Sequence, residues 1–348
     1  MCADLTKTTA PVNKIIRFSS VDGPGNRTAI FLQGCNFDCK YCHNPETRKL
    51  CIACGDCVAA CPAGALTLCD VPVEEREAAA TVPAEGTTEA ASRAPLRGTA
   101  GRKVLYDPAK CVACDTCIKT CKHDASPRIC YMTPEEVMTE VRKQIPYIRG
   151  ITVSGGECSL YPRFCTELFT LAKKEGLTCF LDSNGSYDFS KDPELMEVTD
   201  AVMLDIKAFS TTDHQRVTGT ENAMVLQNAV YLAEQGKLFE VRTVVAPDLF
   251  DVEETVRRTG ELLLPFAGGN SAQYGESREH LEHLTEKKLP CGENAAAATG
   301  QSVRYKLITY RPMGVREAYR NMTVPTGEQM EHLRQILRDL GWQDIQVV

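Results

Sequence analysis

The sequence contains no run of about 18 uninterrupted apolar residues, the length a membrane-spanning helix needs. It has no excess of basic charge: 39 Lys and Arg stand against 46 Asp and Glu, a formal net charge of −7. That balance argues against an electrostatic grip on nucleic acid or on an anionic membrane. The start, Met1-Cys2-Ala3-Asp4-Leu5, lacks the basic-then-apolar pattern of an export signal. These absences lead to the expectation of a cytoplasmic protein with no nucleic-acid or membrane partner. Disorder throughout is excluded by a hydrophobic fraction of 43%, and 348 residues suffice for one large domain or a medium one with an insertion.

What is abundant is cysteine, with 18 residues. Without an export signal, that number points to metal rather than disulfides. Eleven of them fall in three tight groups: Cys35, Cys39, Cys42; Cys51, Cys54, Cys57, Cys61; and Cys111, Cys114, Cys117, Cys121. Cysteines so close together cannot all pair locally. The other seven, Cys2, Cys69, Cys130, Cys158, Cys165, Cys179 and Cys291, show no ligand spacing and are assigned no function.

Around the cysteines, Asp22-Gly23-Pro24-Gly25 reads as a turn and Thr28 to Leu32 as a strand that stops at Gly34. Beyond Met132, short β-like runs alternate with amphipathic stretches. The strands are expected at Gly150 to Val153, Thr178 to Leu181, Ala201 to Leu204, Phe239 to Val245 and Val303 to Thr309. The helices are expected near Arg163 to Lys174, Pro193 to Val198, Asn222 to Gln235, Val252 to Leu264 and Gly327 to Leu340. Such repetition implies parallel strands with crossover helices, and about six βα units favour an incomplete α/β barrel. Asp70 to Val104 and Ala267 to Gln301 break the rhythm and read as flexible insertions.

Cys35-Asn-Phe-Asp-Cys39-Lys-Tyr-Cys42 offers three thiolates immediately after a strand, which can hold three irons of a 4Fe-4S cluster and leave the fourth open to a ligand. The competing reading is half a structural zinc site completed by His43. It fits less well, because structural zinc spacings pair one C-x2-C with another. The other two groups are copies of C-x2-C-x2-C-x3-C, the run of bacterial two-cluster ferredoxins. In such ferredoxins the fourth cysteine crosses to the other cluster. The expected sets are therefore Cys51, Cys54, Cys57, Cys121 and Cys111, Cys114, Cys117, Cys61. The second copy carries Lys122 where a proline usually follows, which removes no ligand. Two zinc knuckles are the alternative, but neither run carries a histidine ligand.

The C-x3-C-x2-C loop with Tyr41 before its last cysteine resembles the radical S-adenosylmethionine superfamily. Asp22-Gly23-Pro24-Gly25, Gln33-Gly34-Cys35 and Tyr41-Cys42-His43-Asn44-Pro45 resemble the activating enzymes of glycyl radical enzymes. Ser154-Gly155-Gly156-Glu157, Asp182-Ser183-Asn184-Gly185, Asp205-Ile206-Lys207 and the Arg242 to Pro247 segment follow in the same order. With the ferredoxin insertion, the set is most similar to the YjjW-type branch.

The resemblance implies a partial (β/α)6 barrel formed by residues 1–47 and 131–348, with a two-[4Fe-4S] ferredoxin domain inserted at 48–130. It implies S-adenosylmethionine and three [4Fe-4S] clusters as cofactors, a glycyl radical enzyme as protein substrate, and a flavodoxin- or ferredoxin-like electron donor. Reductive cleavage of S-adenosylmethionine to methionine and a 5′-deoxyadenosyl radical would then remove a hydrogen atom from a glycine of the partner. Tyr41, Cys42, His43, Gly155, Gly156, Glu157, Ser183, Asn184, Asp205, Ile206 and Lys207 are the cofactor-binding residues so implied. Gly155 and Gly156 suit close backbone approach; Asp205 and Lys207 point to one side of a strand end, as an acceptor and a cation. Related enzymes often place a cofactor-contacting His after the last strand, where this chain has Thr309-Tyr310-Arg311; Arg311 is the substitute donor. Asp22 is assigned a catalytic place near substrate, against an ordinary turn-capping role.

Two other functions compete. One is a radical enzyme that modifies a small molecule or peptide using its accessory clusters; complete four-cysteine sets leave those clusters no open iron. The other is a ferredoxin-like electron carrier, which leaves the first cysteine group and the barrel unexplained.

Overall fold

The computed structural model describes residues 8–71, 101–268 and 302–348. Two compact units divide the chain: Met1–Asn36 with Asn44–Cys179, and Phe37–His43 with Phe180–Val348.

In the first unit, β1 (Ala10–Ser19) runs antiparallel to β2 (Arg27–Leu32), and β2 runs parallel to β6 (Gly150–Gly155) with Arg27 opposite Gly150 and Leu32 opposite Gly155. A short strand, β5 (Cys130–Met132), closes the other side of β1. Between β2 and β5 lies the cysteine-rich region: α1 (Asp56–Ala60), β3 (Leu66–Asp70), β4 (Arg102–Tyr106) and α2 (Thr116–Thr120), with β3 and β4 paired as a hairpin. Each of its short helices follows a residue of positive φ, Gly55 and Asp115, so the two cysteine runs bend alike. Leu66, Cys57 and Cys117 form its small core, with Val58, Val104, Tyr106 and Ile118 packed on them. Helix α3 (Pro134–Arg142) starts with a Thr133/Glu136 capping box and a proline in its first turn. Helix α4 (Pro162–Lys174) buries Phe164, Cys165, Leu168 and Phe169.

In the second unit, the residues of β7 (Thr178–Ser183) from Phe180 onward pair with β8 (Ala201–Asp205). β8 is followed in parallel order by β9 (Leu238–Val245), β10 (Arg304–Thr309) and β11 (Ile345–Val347). The crossovers are α5 (Pro193–Val198), α6 (Thr211–Thr218) with α7 (Ala223–Glu234), α8 (Val252–Leu263) and α9 (Gly327–Leu340). Asp192, Ser210, Asp251 and Thr326 each accept a backbone N–H at a helix start.

From β7 to β11 the strands run parallel, as the alternating pattern beyond Met132 implies, while β1 and β5, outside that pattern, add antiparallel neighbours. One expectation changes. Of the stretch Asp70 to Val104, Asp70 and Arg102–Val104 are strand residues, while 72–100, like 269–301 of the second stretch, lie outside the described residues. Among the described residues, no helix is long and apolar enough to cross a membrane.

Candidate active site and accessory cluster sites

Cys35 follows β2 by three residues, and backbone hydrogen bonds seat its loop in the first unit: Gly34 N–H donates to Thr47 O and Cys35 N–H to Arg48 O, both at 2.7 Å. The Ser154–Glu157 segment backs onto the same turn. Gly156 N–H donates to Leu32 O at 2.9 Å and Glu157 N–H to Gly34 O at 2.7 Å. A Cβ at Gly155 would lie 2.1 Å from Leu32 O, and one at Gly156 would lie 2.1 Å from Gly34 O. Both glycines are therefore required by contact with the lead-in to Cys35. Glu157 is buried, and its Oε1 accepts from Ser159 N–H and Oγ–H at 3.0 and 2.6 Å.

Cys39, Tyr41, Cys42 and His43 belong to the second unit. Asp38 N–H and Lys40 N–H donate to Thr218 O and Val217 O at the end of α6, and Cys42 N–H donates to Cys39 O. Tyr41 is buried with its ring 5.9 Å from Lys207 Nζ, and its hydroxyl has no hydrogen-bond partner. Burial pushes that hydroxyl well above its ordinary pKa, with Lys207 opposing. Lys207 Nζ is 2.6 Å from Asp205 Oδ2. Burial works against the ammonium, but Asp205, Tyr41 and Cys39 outweigh it and hold the lysine protonated. Ile206, between them, is buried and donates its N–H to Arg242 O. A protonated cation, a carboxylate and an orphaned hydroxyl beside Cys39 and Cys42 suit an amino-acid headgroup and ribose hydroxyls.

His43 Nε2–H donates to Arg311 O at 3.0 Å, and its ring stacks on Tyr310. The Arg311 side chain is exposed, so its backbone makes this contact. Ser183 Oγ accepts Gly185 N–H and Asn184 Oδ1 accepts Ser186 N–H, each at 3.0 Å, which gives both side chains the work of holding a turn. Asp22 lies before the first residue of β2 whereas Cys35 follows its last. A six-residue strand separates them, about 20 Å of chain. Its carboxylate accepts from the Ser19 hydroxyl.

Two arginines escaped the sequence reading, and a third, Arg242, entered it only as the start of a motif. Arg27, almost fully buried, donates to Thr152 Oγ1, Thr178 Oγ1 and the carbonyls of Ile151 and Thr178. Arg242 bridges Glu240 Oε1 at 2.6 Å and Asp182 Oδ1 at 3.0 Å. Arg316 binds Asp38 Oδ1 at 2.7 Å and Cys39 O at 3.0 Å. Only Arg242 had a legible signal: Glu240 and Arg242, like Arg304 and Lys306 opposite them, are charges two apart in otherwise apolar strands.

The accessory cysteines line two small pockets in the first unit. One is lined by Cys51, Cys54, Cys57 and Cys121, the other by Cys61, Cys111, Cys114 and Cys117. Burial, with the charges of Cys51, Cys117, Cys54 and Cys121 adding to it, pushes the Cys57 thiol up to about 12. A bound cation reverses that cost by holding the thiolates. Ala53 N–H and Ala113 N–H each turn toward the sulfur two residues back, Cys51 and Cys111, at 3.4 Å. Among the described residues no three Cys, His, Asp or Glu side chains converge on one metal-ion position. Zinc needs such convergence. A four-iron cluster does not, since each thiolate binds a different iron. The donor sets therefore fit clusters better than zinc.

Comparison with known families agrees. Residues 108–259 match the radical SAM superfamily, 50–125 a 4Fe-4S dicluster domain and 21–61 a 4Fe-4S single cluster domain. The chain is 34% identical to the pyruvate formate-lyase 1-activating enzyme of Escherichia coli (strain K12), over 95% of this chain and 97% of that one. It is 30% identical to the pyruvate formate-lyase-activating enzyme of Streptococcus mutans, over 74% of this chain and 73% of that one. It is 28% identical to the indoleacetate decarboxylase activating enzyme of Tractidigestivibacter scatoligenes, over 72% and 78%. Motifs, fold and relatives together mean that the chain belongs to the glycyl-radical-enzyme activating enzymes of the radical S-adenosylmethionine superfamily.

Proposed function

We propose that this activating enzyme uses three [4Fe-4S] clusters, one held by Cys35, Cys39 and Cys42 and two held in the cysteine-lined cavities, the latter passing one electron at a time to the former. The observation that carries the reading is the pairing within the cavities: each combines three cysteines of one run with the fourth of the other. With four protein ligands, neither accessory site has an open iron for substrate, which favours relay over direct binding. The first group has three ligands and leaves one iron for S-adenosylmethionine. When bound there, the pair supplies the reductive chemistry that generates a hydrogen-abstracting radical. The protein's part is to seat the cofactor. Lys207 offers a cation to its carboxylate, Asp205 accepts from its hydroxyls, and the Tyr41 hydroxyl gains the partner it lacks. A flavodoxin- or ferredoxin-like protein is the electron source. Residues 48–130 serve as the inserted electron-transfer domain.

Anaerobic reconstitution should give about twelve irons per chain. Cys35→Ala, Cys39→Ala or Cys42→Ala should lose about four of them and abolish cleavage of S-adenosylmethionine, with the accessory signals still visible by electron paramagnetic resonance. A preparation holding zinc, or about four irons in all, would sink the proposal.

A further inference from the structure

The two accessory runs align residue for residue, Cys51, Cys54 and Cys57 matching Cys111, Cys114 and Cys117, yet different groups surround their sulfurs. At the second run Ala113 N–H turns to Cys111 Sγ at 3.4 Å, and the Tyr106 hydroxyl and Arg128 guanidinium bond the same sulfur. Thr116 Oγ1 lies 3.3 Å from Cys114 Sγ, and Ala65 N–H donates to Cys61 Sγ at 3.3 Å. Tyr106, Thr116, Ala65 and Arg128 line one pocket with Cys61, Cys111, Cys114 and Cys117. The Tyr106 bond, ahead of those from Ala113 and Arg128, holds the Cys111 thiol below its ordinary pKa, and Thr116 does the same for Cys114.

The other site is set differently. Besides cysteine, the titratable side chains lining the pocket of Cys51, Cys54, Cys57 and Cys121 are Asp56 and His123. Asp56 stands where the second run has Thr116, an acid in place of a hydroxyl donor. Cys51 Sγ takes the Ala53 N–H at 3.4 Å, but burial outweighs that bond and pushes the thiol up. Ala53 is buried where its counterpart Ala113 is exposed. Ala125, which also lines this pocket, is buried and forms a β-bridge with Lys49. Net charge does not separate the two sites, since Arg128 is paired with Asp115 at 2.7 Å and also attracts Glu46. Donors and solvent do. A cluster that gains an electron becomes more negative, so hydrogen bonds to its sulfurs and contact with water favour the reduced form and raise the potential.

We infer that the accessory clusters are unequal, the one at Cys61, Cys111, Cys114 and Cys117 having the higher reduction potential because the Tyr106 and Thr116 hydroxyls donate to its sulfurs. A module carrying one electron therefore holds it at that site. The assignment rests on the three-cluster reading above. A reduced flavin or iron-sulfur carrier supplies the electron and is oxidised by one, the cluster is reduced by one, and no bond is made or broken in the module.

Potentiometric titration of the reconstituted full chain, followed by electron paramagnetic resonance and visible absorbance, tests the order. Iron content is measured first. Fewer than about twelve irons in the unaltered protein would overturn the underlying reading rather than the order of potentials. The reduction step that moves when S-adenosylmethionine is added belongs to the cluster with the open iron and is set aside. The two accessory steps should be separate. Tyr106→Phe removes one donor with little change of shape. It should lower the upper step by about 59 mV, a roughly tenfold change in a one-electron equilibrium, and leave the lower step in place. Thr116→Val should act in the same direction, and it takes the place of Tyr106→Phe if that variant loses iron. Asp56→Thr should raise the lower step and narrow the gap. A single accessory step in the unaltered protein, a Tyr106→Phe shift confined to the lower step, or potentials that ignore both hydroxyl changes would overturn the assignment.

Discussion

Arg27 and Asp22 stand five residues apart, and the sequence made only the acid conspicuous. A DGPG turn draws attention to its acid, whereas an arginine opening a strand is ordinarily a solvated flank. In the fold, Arg27 is the buried residue, spending its donors on β6 and on Thr178. Thr152 hands the contact on by donating to Asp22 O at 2.6 Å. Arg27→Met should lower stability by about 3–5 kcal/mol, because it strands several buried acceptors at once, and a fall in thermal midpoint will show it. Asp22→Asn should leave stability within about 1 kcal/mol and keep substantial cleavage of S-adenosylmethionine, given its place at the far end of β2. Complete loss of cleavage would support the catalytic assignment. Gly155 and Gly156 carry a related lesson: the need for glycine was visible, but not that a side chain there would strike Leu32 and Gly34.

Most helices and parallel strands could be read because their signals are local: Pro162 or Pro193 at a first turn, Asp251 or Thr326 at a cap, β-branched runs between. What escaped were elements whose reason lies in distant pairing. β1 carries Lys14 and Arg17 among its apolar residues and is held by β2 and β5. α6 is polar except for His214, Val217 and Thr218, which it buries. The Gly314–Arg316 stretch, just beyond Thr309-Tyr310-Arg311, is the clearest case, since no motif marks it and yet it grips the cysteine loop. Gly314 has φ +83°, and a Cβ there would lie 2.7 Å from His43 O, while Arg316 holds Asp38 and Cys39. Arg316→Ala should weaken retention of the first cluster, so that dilution or a chelator removes about four of twelve irons faster than from the unaltered protein. Arg316→Lys should recover only part, because Nη2 makes both contacts at the end of a longer side chain than lysine's, and the planar guanidinium also stacks over the Tyr319 ring. Equal iron retention in all three proteins would reduce the contact to surface decoration.

At the scale of the whole chain, the spacing of the cysteines was enough to suggest an inserted module, but not where it ends. A boundary at residue 48 follows the change in composition. The hydrogen bonds follow something else: Arg48 O accepts from Cys35, Lys49 O accepts from Gln33 Nε2 at 2.7 Å, and Asp124 and Ala125 hold Arg48 and Lys49 in turn. Residues 48–49 therefore support the first cysteine turn although they lead into the module, and 124–125 brace them. Two excisions separate these roles. Replacing 51–123 by a short Gly/Ser link keeps Arg48, Lys49, Asp124 and Ala125, and the β-bridge shows that the ends to be joined are neighbours. That variant should hold about four irons and still cleave S-adenosylmethionine with dithionite, while losing activity driven by a protein donor. Replacing 48–130 removes the brace together with Cys130, which pairs β5 to β1. It should lose the first cluster as well, or hold it so weakly that a chelator strips it within the assay. Iron analysis and chemical-reductant turnover on the pair decide the matter. If both excisions retain the first cluster equally, the brace contributes nothing and the module ends where composition places it; if both lose it, the module is needed to fold the site and is no separable insertion.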